Sequence, residues 1–201
     1  VFTKKKKEKV KILKYQNYEE HVETVINKLN GNVNIETNND YTLLINDFGE
    51  GYSIYDNLLL TKYKDEIKQG NCIYIKDLDT GKVVSNTAFP IYSEDDEYEV
   101  KFSPSRAKFY RRTAELEIIT KISISPEDNI EVREVEFKNI SDRELNLDII
   151  TYVEPVLTYK NNDIVHPAYN SLFFRSLNHE NAVILEKRSL DYTTQYCWEI
   201  C

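Results

Sequence analysis

Ala114-Glu115-Leu116-Glu117-Ile118-Ile119-Thr120-Lys121-Ile122-Ser123-Ile124-Ser125 sets Leu116, Ile118, Thr120, Ile122 and Ile124 on one side of the chain and Glu115, Glu117, Lys121 and Ser123 on the other. That is the alternation of a half-buried β-strand. Ser125-Pro126-Glu127-Asp128-Asn129 then turns the chain, because proline fixes φ and Asp and Asn tolerate tight backbone conformations. In the next run Ile130 and Val132 keep one phase and Val135 and Phe137 the other. Bringing all four inward predicts a β-bulge near Arg133-Glu134. After a second turn, residues 139–143, the positions Leu145, Leu147, Ile149, Thr151 and Val153 alternate against Asn146, Asp148 and Tyr152. The whole stretch reads as an antiparallel meander with one solvated face.

Outward from the meander the pattern repeats, with strand-like runs at 41–45, 72–76, 83–87, 98–102 and 182–186. Asp77-Leu78-Asp79-Thr80-Gly81-Lys82 reads as a hairpin in which Gly81 is free to take positive φ. The chain carries 15 Tyr and 8 Phe but only 5 Gly and 5 Pro, a composition that favours strands. Short strands at this spacing predict an antiparallel sandwich rather than βαβ units. One helix is expected upstream, where Tyr18, Val22, Val25, Ile26 and Leu29 form an apolar stripe. Asn17 with Glu20 resembles a capping box and Gly31 supplies a left-handed stop. His21 falls off the stripe. The expected organisation is therefore 1–34 as a basic leader and amphipathic helix, and 35–201 as a β-sandwich domain.

Lys4 to Lys7, Lys9 and Lys11 make the leader basic, which suits a solvated arm or edge and, alternatively, contact with anionic lipid or nucleic acid. The net charge of −8 argues against a phosphate backbone as main partner. The sequence holds neither an apolar run near 18 residues nor a signal-peptide core, so no direct membrane contact is expected. Cys72, Cys197 and Cys201 lack a framework spacing and read as reduced thiols, with no metal site. The absence of Met and the abrupt finish at Cys201 lead us to expect a piece of a larger enzyme, its sandwich cut short at the C-terminal end.

The loop after the meander carries a resemblance. Glu154-Pro155-Val156-Leu157, followed by Asn162-Asp163-Ile164-Val165-His166-Pro167-Ala168-Tyr169-Asn170-Ser171-Leu172-Phe173, resembles the E-x-V-L … D-x-x-H-P-A-F-x-x-L-F segment of the β-sandwich domain in glycosyltransferase family 36, now glycoside hydrolase family 94. Other motifs follow the family in order. Asp47-Phe48-Gly49-Glu50-Gly51-Tyr52-Ser53 resembles its Gly-x-Gly-Tyr-Ser, Thr61-Lys62-Tyr63-Lys64-Asp65 its Thr-Arg-Trp-Arg-x-Asp, and Ile73-Tyr74-Ile75-Lys76-Asp77 its Tyr-Ile-Arg-Asp strand. Ser125-Pro126-Glu127-Asp128 with Glu131-Val132-Arg133 resembles its Ser-Pro-x-Asp-x-x-Glu-x-Arg. Residues 35–188 are covered, and the HPAY segment is most similar to the cyclic β-1,2-glucan synthetase and oligoglucan phosphorylase branch.

The resemblance implies a galactose-mutarotase-like supersandwich. It also implies an inverting chemistry in which a carboxylic acid protonates the glycosidic oxygen while phosphate attacks the anomeric carbon. In the family those groups sit in an (α/α)6 barrel C-terminal to the sandwich, so no catalytic residue carries over to this chain. Inorganic phosphate would serve only a parent phosphorylase, and no cofactor is expected. The implied partners are that barrel, a β-gluco-oligosaccharide and a second copy in a homodimer. Nucleic acid is not among them. The implied location is the cytoplasm, or the cytoplasmic side of a membrane-anchored parent. The chain departs from the family where Trp and Arg give way to Tyr55, Lys62, Tyr63, Lys64 and Val84, and Lys lacks the bidentate fork of Arg.

Tyr52, Tyr55 and Tyr63 are candidates for stacking on pyranose faces, and sandwich core accounts for them equally. Gly49 and Gly51 suit a phosphate cradle or a structural turn, and the turn is preferred because no helix dipole follows. His166, set extended by Pro167, could pair with Asp163 or Glu154 for proton transfer. Glu154, Asp163, His166, Pro167 and Tyr169 equally suit anchoring the loop or meeting a neighbouring domain. Three readings follow: a non-catalytic scaffolding sandwich of a β-glucan glycosyltransferase or phosphorylase, an accessory oligoglucan-binding module, and a mutarotase-like epimerase using His166.

Overall fold

The computed structural model describes residues 24–26, 29–38, 40–62, 71–188 and 194–201. One sheet orders its strands β1 (Thr24–Ile26), β8 (Glu97–Ser103), β9 (Arg106–Arg112), β10 (Leu116–Ile124) and β11 (Glu131–Asn139). A second runs β13 (Pro155–Tyr159), β5 (Leu58–Thr61), β4 (Gly51–Tyr55), β3 (Tyr41–Asn46) and β2 (Val33–Thr37). A third is β12 (Leu147–Tyr152), β6 (Cys72–Asp77) and β7 (Val83–Ser85), and a fourth is β14 (Phe174–His179), β15 (Ala182–Arg188) and β16 (Thr194–Ile200). Every pairing is antiparallel. Two short helices, α1 (Lys160–Val165) and α2 (Pro167–Ser171), join β13 to β14.

The alternation read from the sequence builds the sandwich. Leu43 and Ile45 of β3 pack on Val100, Phe102, Ala107, Phe109 and Ile122 of the first sheet. Beside them Ile75 of β6 packs on Leu116 and Ile118 of β10. The first sheet thus backs both the second and the third. Tyr41, Leu58, Leu60 and Leu157 close a further cluster with Leu185 of β15, with Phe174, Trp198 and Ile200 against it. The antiparallel sandwich expected from the sequence is present.

Three local expectations change. Thr24, Val25 and Ile26, placed on the upstream helix, pair instead with Phe102, Lys101 and Val100 at the edge of β8. Thr, Val and Ile are residue types that favour strands, and the edge of β8 supplies the main-chain partners. Residues 17–23, 27 and 28 of that expected helix, like the basic leader, lie outside the described residues. Gly31 does take positive φ, at 79°.

The bulge near Arg133-Glu134 is not formed, for β10 and β11 stay in register from Leu116 opposite Asn139 to Ile124 opposite Glu131. The inward positions at the start of β11 are Glu131 and Arg133, both buried and ion-paired at 2.6 Å. An apolar-only search assigned them to the wrong face. Finally, β12 does not alternate between core and solvent: only Leu147 packs inward, while Ile149, Ile150 and Tyr152 are exposed. Among the described residues it is an edge strand, paired to β6 alone.

Candidate functional site

The connection from β13 to β14 holds most of the residues singled out in the sequence. His166 sits between α1 and α2 at φ −138° and ψ 61°, and Pro167 opens α2, a position where its missing N–H costs nothing. Asp163 is buried, and Lys62 Nζ donates to its two carboxylate oxygens at 2.7 Å each. Lys62 also donates its main-chain N–H to the Glu154 carbonyl at 2.9 Å. Two segments named in the sequence, Thr61-Lys62-Tyr63-Lys64 and the His-Pro-Ala-Tyr loop, are therefore joined by a buried ion pair. Glu154 takes part through its carbonyl.

Lys187 of β15, which the sequence reading missed, completes the anchor. Its ammonium donates to the Asn170 carbonyl and lies 4.7 Å from the Phe174 ring centroid and 5.9 Å from that of Phe173. Burial pushes the Lys187 ammonium below the usual lysine range, and the Asp163 carboxylate opposes that. The one clue in the sequence was its period-2 phase with Leu185. The outer side of the connection is open: Ile164, Val165, Tyr169 and Leu172 are 63%, 64%, 51% and 76% exposed. Tyr169 meets Phe173 edge-on at 5.0 Å.

His166 is exposed, and among the described residues no carboxylate bonds or ion-pairs with its ring. The expected pairing with Asp163 is thus not formed. The physical reason is competition, because a buried ammonium left without its carboxylate costs several kcal/mol and Lys62 takes that carboxylate. Tyr52 is half-buried and Tyr55 is 37% exposed. An odd separation along β4 turns them to opposite faces of the sheet, so these two do not share a platform. Tyr63 lies outside the described residues.

Gly49 and Gly51 serve the turn. Gly49 has φ 86°, and a Cβ there would lie 2.3 Å from Thr87 Oγ1; a Cβ on Gly51 would lie 2.2 Å from the Leu44 carbonyl oxygen. Asp47 just before them is committed as well. Its buried carboxylate accepts the main-chain N–H groups of Asn30, Gly31 and Asn32 at 3.0 Å each.

Deeper in the sandwich lies a polar cluster. Glu131 accepts from Tyr41 Oη at 2.9 Å, Ser53 Oγ at 2.6 Å and Arg133 Nε at 2.6 Å. Burial raises its carboxyl, the Arg133 guanidinium leads the opposing effects, and the net result lies below the usual carboxylate range. Glu36 of β2 is 2% exposed, and its Oε2 has no hydrogen-bond partner among the described residues. Burial first, then repulsion from Glu131, push the Glu36 carboxyl up to about 8 against the pull of Arg106 and Asn34. Among the described residues no group of three His, Cys, Asp or Glu is placed to hold a metal ion. The chemistry available is structural: ionisable groups neutralised inside the sandwich, and an apolar, well-anchored connection outside it.

A family model described as "Glycosyl hydrolase 94, supersandwich domain" matches residues 16–199. The cyclic beta-(1,2)-glucan synthase NdvB of Rhizobium meliloti (strain 1021) is 25% identical over 143 residues. That alignment covers 70% of this chain, and the chain spans 5% of the length of that relative.

Proposed function

Because the chain belongs to the glycosyl hydrolase 94 family as a supersandwich domain, we propose that it is a non-catalytic scaffold within an enzyme acting on β-glucans. The anchored connection carries this reading. Below, Asp163 and Lys62 neutralise each other and Lys187 grips Asn170, so α1 and α2 are held against the sandwich. Above, Ile164, Val165, Tyr169 and Leu172 offer an apolar face, and such faces mark sites where another protein surface docks. The partner in this reading is the (α/α)6 barrel of the parent chain, which would carry the acid and the phosphate site. The name of the curated relative, a glucan synthase, supports a β-1,2-linked glucan as the parent's polymer, made by transfer or broken by phosphorolysis.

The epimerase reading finds no support here, since His166 has no carboxylate at its ring among the described residues. The test is turnover. Incubated with β-1,2- and β-1,4-gluco-oligosaccharides, with and without inorganic phosphate, the chain is expected to release neither glucose 1-phosphate nor free sugar and to leave anomeric equilibration at its uncatalysed rate. A catalysed rate that disappears in His166→Ala would overturn the proposal.

A further inference from the structure

Among the described residues strand β7 has one partner, β6, and one open edge. Asp77 N–H donates to the Lys82 carbonyl and Asn86 N–H to the Ile73 carbonyl, with Ile75 opposite Val84 between them. Bonded and non-bonded residues alternate along an antiparallel pair. Lys82, Val84 and Asn86 therefore turn their main-chain groups to β6, and Val83 and Ser85 turn theirs to the open edge.

Ser85 is closed off. Arg111 Nη1 donates to its carbonyl at 2.8 Å, and to the carbonyls of Thr87 at 2.6 Å and Ile91 at 2.7 Å. The same guanidinium donates from Nε and Nη2 to Asp96 Oδ2 at 2.8 and 2.6 Å. Arg111 is thus a spent group, its charge matched and its donors used. Val83 has no comparable plug among the described residues, and it lines a cleft of about 350 Å3 together with Lys82, Asp95, Glu97, Arg112 and Thr113.

The charges in this cleft cancel. Arg111 and Asp96 neutralise each other, Arg112 and the Glu97 opposite it turn their side chains to the other face of the sheet, where Arg112 meets Glu117 at 3.9 Å, and Lys82 stands against Asp95 at the rim. A cleft without net charge does not concentrate a phosphate or a metal cation. It does set ammonium and main-chain N–H donors beside carboxylate and carbonyl acceptors. Hydroxyl groups, which donate and accept at once, match that mixture.

We propose that the cleft between β7 and the β8–β9 pair is a binding subsite for a small neutral polyhydroxylated ligand, a gluco-disaccharide. The choice of a β-linked sugar rests on the β-glucan reading above. The cleft volume lies at the low end of the roughly 300–1,000 Å3 of small-molecule sites, so it takes a short sugar and not a long chain. Val83 N–H and C=O meet one hydroxyl, and Lys82 and Asp95 meet another.

The test is a titration of the full chain followed by amide NMR, with sophorose, cellobiose, maltose and inorganic phosphate as separate probes. Sophorose or cellobiose is expected to shift the Val83 and Thr113 amides and to leave those of Tyr52 and Tyr55 in place. Lys82→Ala and Asp95→Ala, both changes at exposed side chains, are expected to weaken that binding at least fivefold while the rest of the spectrum keeps its dispersion. Unmoved Val83, a response to phosphate alone, or unchanged affinity in both variants would overturn the subsite. A response to maltose with none to either β-linked sugar would keep the cleft and sink the β-glucan reading. Absence of turnover is expected whichever way the titration falls, so the scaffold proposal stands or falls separately.

Discussion

Replacing Glu36 by Gln should make the domain more stable at neutral pH and remove most of a pH dependence that the native chain carries between pH 5 and 8. Glu36 is 2% exposed, and its carboxyl is pushed up from 4.5 to about 8 by burial and then by the nearby Glu131 carboxylate. In the folded state it keeps its proton at pH 7, whereas the unfolded chain releases it above about 4.5. Holding that proton across the 2.5 pH units from 4.5 to 7 costs about 3 kcal/mol at about 1.4 kcal/mol per unit. At pH 5 the same cost is under about 1 kcal/mol. A folded pKa raised above the unfolded one means the contribution is fully present below 4.5 and is lost as pH rises through about 8.

Glu36→Gln has nothing to ionise. Its carbonyl oxygen can keep the bond that Asn34 Nδ2 donates at 3.3 Å, and its amide takes the place of Oε2, which has no hydrogen-bond partner among the described residues. The assay is urea unfolding at pH 5, 6, 7 and 8, followed by the fluorescence of Trp198 and by circular dichroism, with the variant measured alongside so that other carboxylates cancel in the difference. The variant should exceed the native chain by about 2 to 3 kcal/mol at pH 7 and by under about 1 kcal/mol at pH 5. Glu131 does not interfere in this window, because its folded value is depressed and its contribution is lost only at more acid pH. A difference that is flat from pH 5 to 8, or that grows toward acid, would refute the account of Glu36 as a buried neutral acid.

Arg111→Met strips the donor from the carbonyls of Ser85, Thr87 and Ile91 and leaves Asp96 unpaired; the loss should be about 3 to 5 kcal/mol by urea unfolding, whereas Arg112→Met next door should change stability by under about 0.5 kcal/mol. Asp163→Asn leaves the buried Lys62 ammonium without a counter-charge, at a cost of about 3 kcal/mol, and hydrogen exchange should quicken across residues 159–172 while β10 keeps its protection. Equal exchange in both regions would contradict the anchoring role. Gly51→Ala drives a Cβ to 2.2 Å from the Leu44 carbonyl oxygen and should cost more than about 2 kcal/mol. Gly81→Ala meets open space and strains only a φ of 72°, which should cost about 1 kcal/mol, and a thermal melt of the two variants should order them so.

The parts of the fold that were legible are those whose code is local. Leu116, Ile118, Thr120 and Ile122 alternate in the sequence and are all buried. The Asp77–Lys82 hairpin was readable from its turn residues: the Asp77 carboxylate accepts from Asp79 N–H, Thr80 N–H and the Thr80 hydroxyl, and Gly81 has φ 72°. Where an inward position is filled by charge, the apolar pattern misled. Glu131 and Arg133 looked like the wet side of a strand, and the bulge was invoked to explain them away. Val25 and Ile26 fell on a helical stripe, yet they pair with β8 because that edge is available, and no local pattern announces a free edge.

For the candidate site the division is similar. The loop at Asp163, His166 and Pro167 was identifiable as a connection of special composition, and the structure pairs its Asp163 with Lys62. Lys187, 17 positions beyond the Asn170 whose carbonyl it grips, was invisible as a partner of the loop, whereas the odd spacing of Tyr52 and Tyr55 already places them on opposite faces of any strand that holds both.

By itself the sequence determined the class of the fold and the resemblance, since strand periodicity and turn chemistry act over a few residues and survive without knowledge of neighbours. Only the tertiary structure decided which charges go inside. Glu131 meets Tyr41 across 90 positions, Lys62 meets Asp163 across 101, and Arg111 reaches Ser85 across 26. Whether a buried charge is tolerated depends on the group that folding brings opposite it, and at those separations that group cannot be read from the residues on either side.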